Sequence, residues 1–263
     1  MRSVKAAALS VAALLSLGSA VAHDDGTELA DLVTGAELIF EGVVTNVEYG
    51  QSESNGPEQP AFPHTFVTFQ IDRVFKGSSS AGRSITLRFV GGPAPNGLTL
   101  IVPRIPTFDT GDRDVVFAKG NQARFCPVLG GFQGRFRVVD GNVFTDDGRE
   151  LYVTRDRRLA TGRFHPLPEV LTDDIAGRTF GIAVREEEEE TAEPPAGATR
   201  LDRESFGALV GALVRERHTP QDLARIAPVP SAHSADRFTV PPMRAAAPPS
   251  EIVTAQHDVQ DAE

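Results

Sequence analysis

The sequence is poor in cysteine and contains no tryptophan. Cys126 is the single cysteine among 263 residues. One cysteine excludes an internal disulfide, and it also excludes zinc sites built from several thiolates. Cys126 lies in an apolar run, which predicts a small buried hydrophobic side chain; a reactive or intermolecular thiol is the alternative.

Motifs of the common catalytic sites are also absent. The chain has no G-x-S-x-G nucleophile motif, no H-E-x-x-H zinc motif and no glycine-rich phosphate loop that opens a helix. Its six histidines are scattered along the sequence. A hydrolase site would need a fold that brings His64, Asp109 and His165 into one cleft. We therefore predict a protein that is not an enzyme and needs no cofactor, with a secreted hydrolase of unrecognised type as an alternative.

The acidic residues do not form a complete metal-binding motif. Asp109, Asp112 and Asp114 resemble part of a calcium loop, but the glycine and glutamate of such a loop are missing. The segment Asp146–Glu150 is better explained as a hairpin turn. His23 would offer a chelate if it became the first residue, but no second histidine is paired with it. We predict no metal site.

Positive charge is in the minority. The chain has 26 Lys and Arg against 36 Asp and Glu, which gives a formal net charge of −10. Binding to the phosphates of nucleic acids requires a basic surface, and so does adsorption to anionic lipid. The composition therefore predicts neither a nucleic-acid partner nor electrostatic attachment to a membrane.

The N-terminus has the three parts of a secretory signal peptide. Arg2 and Lys5 precede an uncharged run over residues 6–17, and Ala20-Val21-Ala22 forms a small-x-small cleavage site. The run has 12 residues, whereas a membrane-spanning helix needs about 20. We predict a signal peptide over 1–22, export to the periplasm or medium, and no stable membrane insertion after cleavage.

Residues 23–182 show the alternation of β-strands. A short helix is predicted to start at Thr27 and end at Gly35. The predicted strands are Glu37–Tyr49, Thr65–Phe75, Ser84–Val90, Leu98–Val102 and Val115–Ala118, followed by a three-stranded meander from Gln133 to Thr154. The meander rests on Asp140-Gly141 and Asp147-Gly148, a pair type that favours turns with positive φ at both central positions. Many short strands predict an all-β domain, a barrel or a sandwich.

The composition changes after residue 182. Residues 183–199 are predicted to form an acidic, proline-containing linker, because the glutamate run at 186–190 cannot be buried. Residues 200–218 predict an amphipathic helix with Asp202 as its cap. An isolated helix of this length is marginal in water, so we expect it to dock on the β domain or on a partner. Residues 219–263 are predicted to be disordered.

Seven segments of the β domain carry a family resemblance. They are Ala36–Val44, Thr68–Ile71, Val74–Gly77, Ile85–Gly92, Pro106–Asp112, Val115–Phe117 and Gly134–Val138. In this order they resemble exported bacterial proteins of unknown function, whose OB-type barrel is similar to the domain of netrins and tissue inhibitors of metalloproteinases. The resemblance implies an OB-like β-barrel and no activity. Those inhibitors chelate zinc through an N-terminal Cys, which is missing here, so no functional residue is carried over.

One basic surface is predicted from the meander. Gln133, Arg135 and Arg137 share one face of a strand, and more arginines follow in sequence. Guanidinium groups bind carboxylate and phosphate with two hydrogen bonds. We predict an outward arginine row that binds an acidic envelope polymer or a partner's acidic segment; pairing with the chain's own glutamates at 186–190 is an equal alternative. A solvated strand face is the alternative.

These observations predict an exported, non-catalytic binding or interaction module. Its partner would be an envelope protein or an acidic polymer. A secreted protease inhibitor acting through the loop Gln51–Pro63 is an alternative beside the hydrolase. The compartment is extracytoplasmic in each case.

Overall fold

The structure is a computed structural model that describes residues 28–54, 61–94, 97–165, 193–194 and 196–233. Antiparallel strands predominate in these ranges, which confirms the all-β prediction. The predicted signal peptide, the glutamate run of the linker and the chain beyond residue 233 lie outside the described residues. No helix in the described ranges is long and apolar enough to cross a membrane.

Three α-helices and eleven strands make up the described part of the chain. In chain order they are α1 (Leu29–Gly35), β1 (Leu38–Gln51), β2 (Pro63–Lys76), β3 (Ser84–Val90), β4 (Gly92–Pro93), β5 (Thr99–Leu100), β6 (Arg113–Ala118), β7 (Arg135–Val139), β8 (Asn142–Thr145), β9 (Arg149–Val153), β10 (Leu159–Phe164), β11 (Thr199–Arg200), α2 (Arg203–Arg217) and α3 (Pro220–Ala224). A 3-10 turn spans Gly131–Gly134.

Nine of the strands form one antiparallel sheet. Its order is β10-β9-β8-β7-β6-β1-β2-β3, with β11 paired beside β9, while β4 and β5 form a separate small hairpin. The sheet does not close into a barrel. The class of fold is therefore established as all-β, and the OB-like barrel stays a prediction.

The two central strands, β1 and β6, are apolar on both faces. In β1, Ile39 enters a first hydrophobic core, whereas its neighbours Leu38 and Phe40 enter a second core on the other side. Val115 and Val116 of β6 divide in the same way. Adjacent side chains of a strand point to opposite faces, so a continuous apolar run is what a doubly covered strand requires. The central position predicted for Val115–Ala118 is confirmed, because β6 pairs with β1 and β7.

The first core lies between the sheet and the helices α1 and α2. The side chain of Asp202 caps α2 by accepting a hydrogen bond of 2.7 Å from the backbone N–H of Ser205, as predicted. Phe206 and Val210 are buried in the core, and Arg203 pairs with the buried carboxylate of Glu41 on β1. The helix predicted over 200–218 therefore belongs to the same packed unit as the strands.

The second core is surrounded by β1, β2, β3 and β6. The rings of Phe40 and Phe69 meet edge to face at 5.3 Å, and Phe108 approaches Phe69 at 5.5 Å from a loop. Gly42 lies at one of three irregularities in the β1–β2 register. A Cβ at Gly42 would lie 2.6 Å from the carbonyl oxygen of Gln70. Only glycine therefore permits this close approach of the two strands.

The predicted meander is confirmed as β7, β8 and β9, although its two turns differ. Asp140 and Gly141 both have positive φ, at 49° and 78°. In the second turn Gly148 has a φ of 92° while Asp147 does not lie in that region, and the Gly148 N–H donates to the carbonyl of Thr145. The expectation of two positive φ values is therefore correct for the first turn and wrong for the second.

The prediction of disorder from residue 219 is wrong for residues 219–233. Thr219 opens α3 with a capping box that includes Asp222. Further along, Val229 and Ala232 are buried against the free edge of β3. Prolines and weak periodicity predict a chain without structure, but the docking depends on partners 109 or more residues away in sequence.

Truncation of Phe206 tests the contribution of α2 to the first core. We expect Phe206→Ala to lower the free energy of unfolding by about 3–5 kcal/mol, because it leaves a cavity among packed side chains. Phe164→Ala, at a partly exposed ring, is the control and should cost about 1 kcal/mol or less. Urea unfolding monitored by circular dichroism measures both. Equal losses for the two variants would show that α2 is not part of the cooperative core.

Candidate functional site

Arg135 lies inside the protein, contrary to the prediction of an outward arginine row. Its guanidinium is surrounded by three carboxylates. Nη2 lies 2.7 Å from Oδ2 of Asp112, Nε lies 3.1 Å from Oδ1 of Asp114, and Nη1 lies 3.1 Å from Oδ1 of Asp146. Arg135 and Asp114 are both fully buried. The expected exposed contact residue is thus a buried cation with its own counterions.

A loop closes over this cation from the side that was expected to face solvent. Arg135 donates to the carbonyl of Thr107 and lies 4.1 Å from the ring centre of Phe108. Burial alone would lower the pKa of Arg135, but Asp114, Asp146 and Asp112 raise it above its ordinary value. The group therefore stays charged at every pH at which the protein folds.

Arg137 and Gln133 differ in burial. Arg137 is buried, with Nη2 3.5 Å from Oδ1 of Asp112, and Gln133 is half-buried in the 3-10 turn. The alternation that places both arginines on one face was interpreted correctly, but that face is covered. Asp112 and Asp114, considered above as partial calcium ligands, are the acidic partners of this arginine pair.

The three residues of the alternative hydrolase site have separate surroundings. Nδ1 of His64 lies 3.0 Å from the carbonyl oxygen of Phe62. The backbone N–H of Asp109 donates to the Asp112 carboxylate. His165 pairs with Glu150 at the far end of the sheet. Within the described ranges, no group of three or more His, Cys, Asp or Glu residues is arranged to hold a metal ion.

Glu150 is the centre of a polar cluster that joins β9 to β10 and β11. Its carboxylate accepts a hydrogen bond of 2.8 Å from the Tyr152 hydroxyl, and it lies 3.0 Å from His165 Nε2 and 3.1 Å from Arg200 Nη2. Burial alone would raise the pKa of Glu150, but these three partners hold it below its ordinary value. A carboxylate engaged in this way holds strands together and is a weak general base.

Cys126 is partly buried, whereas its apolar surroundings predict a buried side chain. Burial raises the pKa of the thiol to about 11, and Sγ lies 3.6 Å from the carbonyl oxygen of Val128. Since the thiolate is the nucleophile, this environment favours an inert side chain over a reactive one.

Exposed hydrophobic side chains are concentrated at one end of the sheet. We call this surface the apolar end; it consists of Tyr49, Leu98, Leu100, Ile101 and Phe125. Leu98 and Ile101 are 67% and 70% exposed. The sequence pattern predicts a strand over Leu98–Val102 and not a surface, although a run of aliphatic residues beside a Pro- and Gly-rich turn is a signal for one.

Backbone contacts bring these residues to the same end. A Cβ at Gly92 in β4 would lie 3.2 Å from the Tyr49 ring, so the β4–β5 hairpin passes beside the end of β1. The carbonyl of Phe125 accepts a 2.8 Å hydrogen bond from the N–H of Val90, which ends β3. The apolar end is therefore built from β1, the β4–β5 hairpin and the loop 119–128.

Two loop residues near the apolar end have a left-handed backbone conformation. Arg104, with a φ of 68°, follows the hairpin, and its guanidinium lies 5.5 Å from the ring centre of Phe132. Gln122, with a φ of 71°, precedes Phe125. Such conformations cost about 1–3 kcal/mol in non-glycine residues and are concentrated at functional sites.

A scan with protein-family models, a search of curated proteins and a search of solved structures each find no match to this chain. The OB-like resemblance consequently stays a prediction.

Removal of the buried cation tests the Arg135 cluster. We expect Arg135→Met to reduce the free energy of unfolding by about 3–5 kcal/mol, because three carboxylates lose their shared partner. Arg83→Met at an exposed position is the matched control, with an expected change within about 0.5 kcal/mol. Chemical denaturation measures both variants. A stable Arg135→Met protein would mean that the cluster is not required for folding.

His64 makes stability depend on pH in the mildly acidic range. Burial, with a smaller effect of Arg88, lowers the pKa of His64 from 6.5 to about 4. The unfolded chain therefore takes up a proton before the folded one does. The contribution of neutral His64 to the free energy of unfolding is complete above pH 6.5 and is lost as pH falls towards 4. This loss amounts to at most about 3 kcal/mol.

The variant His64→Gln should remove this part of the pH dependence. His233→Gln, at an exposed histidine, is the control and should leave the dependence as in the wild type. Denaturation between pH 4 and pH 7 gives the comparison. An unchanged pH slope in His64→Gln would contradict the assignment to His64.

Proposed function

We propose that this chain is an exported, non-catalytic module that binds another protein through the apolar end. The observation that carries the proposal is the distribution of exposed hydrophobic side chains. Of the eight large ones in the described ranges, five lie at the apolar end. Exposed apolar residues gathered in one place mark interaction surfaces, whereas scattered ones need no explanation.

The position of this surface on loops supports the proposal. The hairpin and the loop 119–128 project from strands whose side chains fill the second core, so a rigid scaffold presents these loop segments. Tyr49 and Phe125 add aromatic rings to the aliphatic residues, and aromatic residues are enriched at protein interfaces. Arg104 and Arg124 are exposed beside them. This favours a partner with an apolar centre and acidic residues around it.

An acidic polymer is less well supported as the partner. That prediction relied on exposed Arg135 and Arg137, which are buried and paired with aspartates. Export remains part of the proposal and rests on the N-terminal signal pattern. An OB-like relationship also remains part of it, supported by the second core, which β1, β2, β3 and β6 surround together with loop residues.

Site-specific photo-crosslinking in the producing organism tests the proposal. A photoreactive amino acid at Ile101 should give a discrete adduct with one envelope protein. Val74 is the matched control, because it is 46% exposed on β2 but lies outside the apolar end. The adduct at position 101 should disappear when Leu98→Asp is introduced as well. No adduct at 101, or the same adduct from 74, would overturn the proposal.

An adduct with a protease would instead favour the inhibitor alternative. An inhibition assay with that protease and the purified chain would then distinguish inhibition from binding alone. Wild-type inhibition that is lost in Leu98→Asp would place the inhibitory contact at the apolar end.

A further inference from the structure

A short C-terminal segment occupies the free edge of the sheet. We call residues Val229–Ala232 the strap. An edge strand presents unpaired backbone groups, and on β3 the strap supplies partners for Thr86. The N–H of Thr86 donates to Ser231 Oγ at 2.9 Å, and its carbonyl accepts from the N–H of Ala232 at 2.9 Å. Without a cover, this edge would be open to pairing with another chain.

The backbone polar groups of the strap are held by hydrogen bonds along most of its length. The N–H of Val229 donates to the carbonyl of Ser78, and the carbonyl of Val229 accepts from the N–H of Ser80. The N–H of Ser231 donates to Ser80 Oγ at 3.1 Å. Pro230 has no N–H, so every backbone donor of the strap is used.

Two side chains of the loop 119–128 complete the recognition. The amide of Asn121 donates to the carbonyl of Pro230 at 2.7 Å, and the amide of Gln122 donates to the carbonyl of Ser231 at 2.9 Å. Asn121 is itself buried and fixed, because its oxygen accepts from the N–H of Arg88. Gln122 is held through its carbonyl, which accepts from the Arg88 guanidinium. Contacts with Arg88 therefore hold Asn121 and Gln122 in position without the strap.

Only two side chains of the strap are buried, Val229 and Ala232. The connector 219–228 between α2 and the strap has no buried residue. Main-chain hydrogen bonds with one or two side-chain pockets are the way in which domains bind extended peptides at a sheet edge. A segment held by so few buried groups opens more easily than the core.

We propose that the edge of β3, with Ser78–Ser80 and Asn121-Gln122, is a peptide-binding site that the strap fills in cis. Its ligand class is an extended polypeptide segment with a β-branched apolar residue, a hydroxyl residue two positions later and a small residue three positions later. Val229, Ser231 and Ala232 are the cis example of this pattern. The site goes beyond the proposed function, because it uses the edge of β3 and two polar side chains of the loop 119–128, and none of the five exposed hydrophobic residues of the apolar end.

A labelled peptide of residues 226–233 tests the site in the full-length protein. Val229→Asp should release the strap, since a charged side chain replaces the buried anchor. The peptide should then bind this variant at least about tenfold more tightly than it binds the wild type, in which the tethered strap competes at high effective concentration. The same peptide with Asp at the Val229 position should bind neither protein. Fluorescence anisotropy measures all four pairs of peptide and protein.

A cut in the connector gives a second test that does not depend on the folding of a variant. A protease recognition sequence inserted after Arg225 lies in an exposed stretch, and the protein is cut after it has folded. The proposal expects the released strap to dissociate on dilution and the unlabelled peptide to exchange with it. A strap that never leaves the cut protein, or a peptide that binds neither Val229→Asp nor the cut protein, would show a permanent edge cover and overturn the proposal.

Discussion

The buried cation of Arg135 on β7 joins the loop that precedes β6 and the β8–β9 turn to the centre of the sheet. Its guanidinium reaches Asp112 at the end of a loop, Asp114 on β6 and Asp146 in the β8–β9 turn. It also fixes the position of Phe108, whose ring it covers. Phe108 in turn contacts Phe69 in the second core. One charge therefore determines how the loop 103–112 closes that core, and burying it without the three carboxylates would be prohibitively costly.

The fold was predictable where the signal is local. The bounds of β3 match the predicted Ser84–Val90, and the first Asp-Gly turn has the backbone that the pair requires. The helix α2 was predictable from its periodicity and its cap. Strands β10 and β11 were not predicted, because β10 has no clear alternation and β11 contains two residues.

The site was less predictable, because the exposure of a side chain depends on segments distant in sequence. The spacing of Arg135 and Arg137 correctly indicated one shared face, but the loop that covers this face is 23 or more residues away. The partners of the strap on β3 are separated from it by an even longer stretch of sequence. The apolar end likewise exists only because three separate segments meet. Sequence patterns indicate which residues share an element, and they carry little information on which element covers another.

The first core also constrains the order in which the chain can complete its fold. β1 belongs to the earliest part of the sheet, yet its side chain Ile39 shares a core with Phe206 of α2. Contacts between such distant segments slow folding, because a long loop must close before they form. A chain that is made from its N-terminus can cover this face of β1 with α1 early, but it cannot complete the first core until α2 has been made. Until then the apolar side chains of this core stay partly exposed, and such surface makes an incomplete chain prone to aggregation.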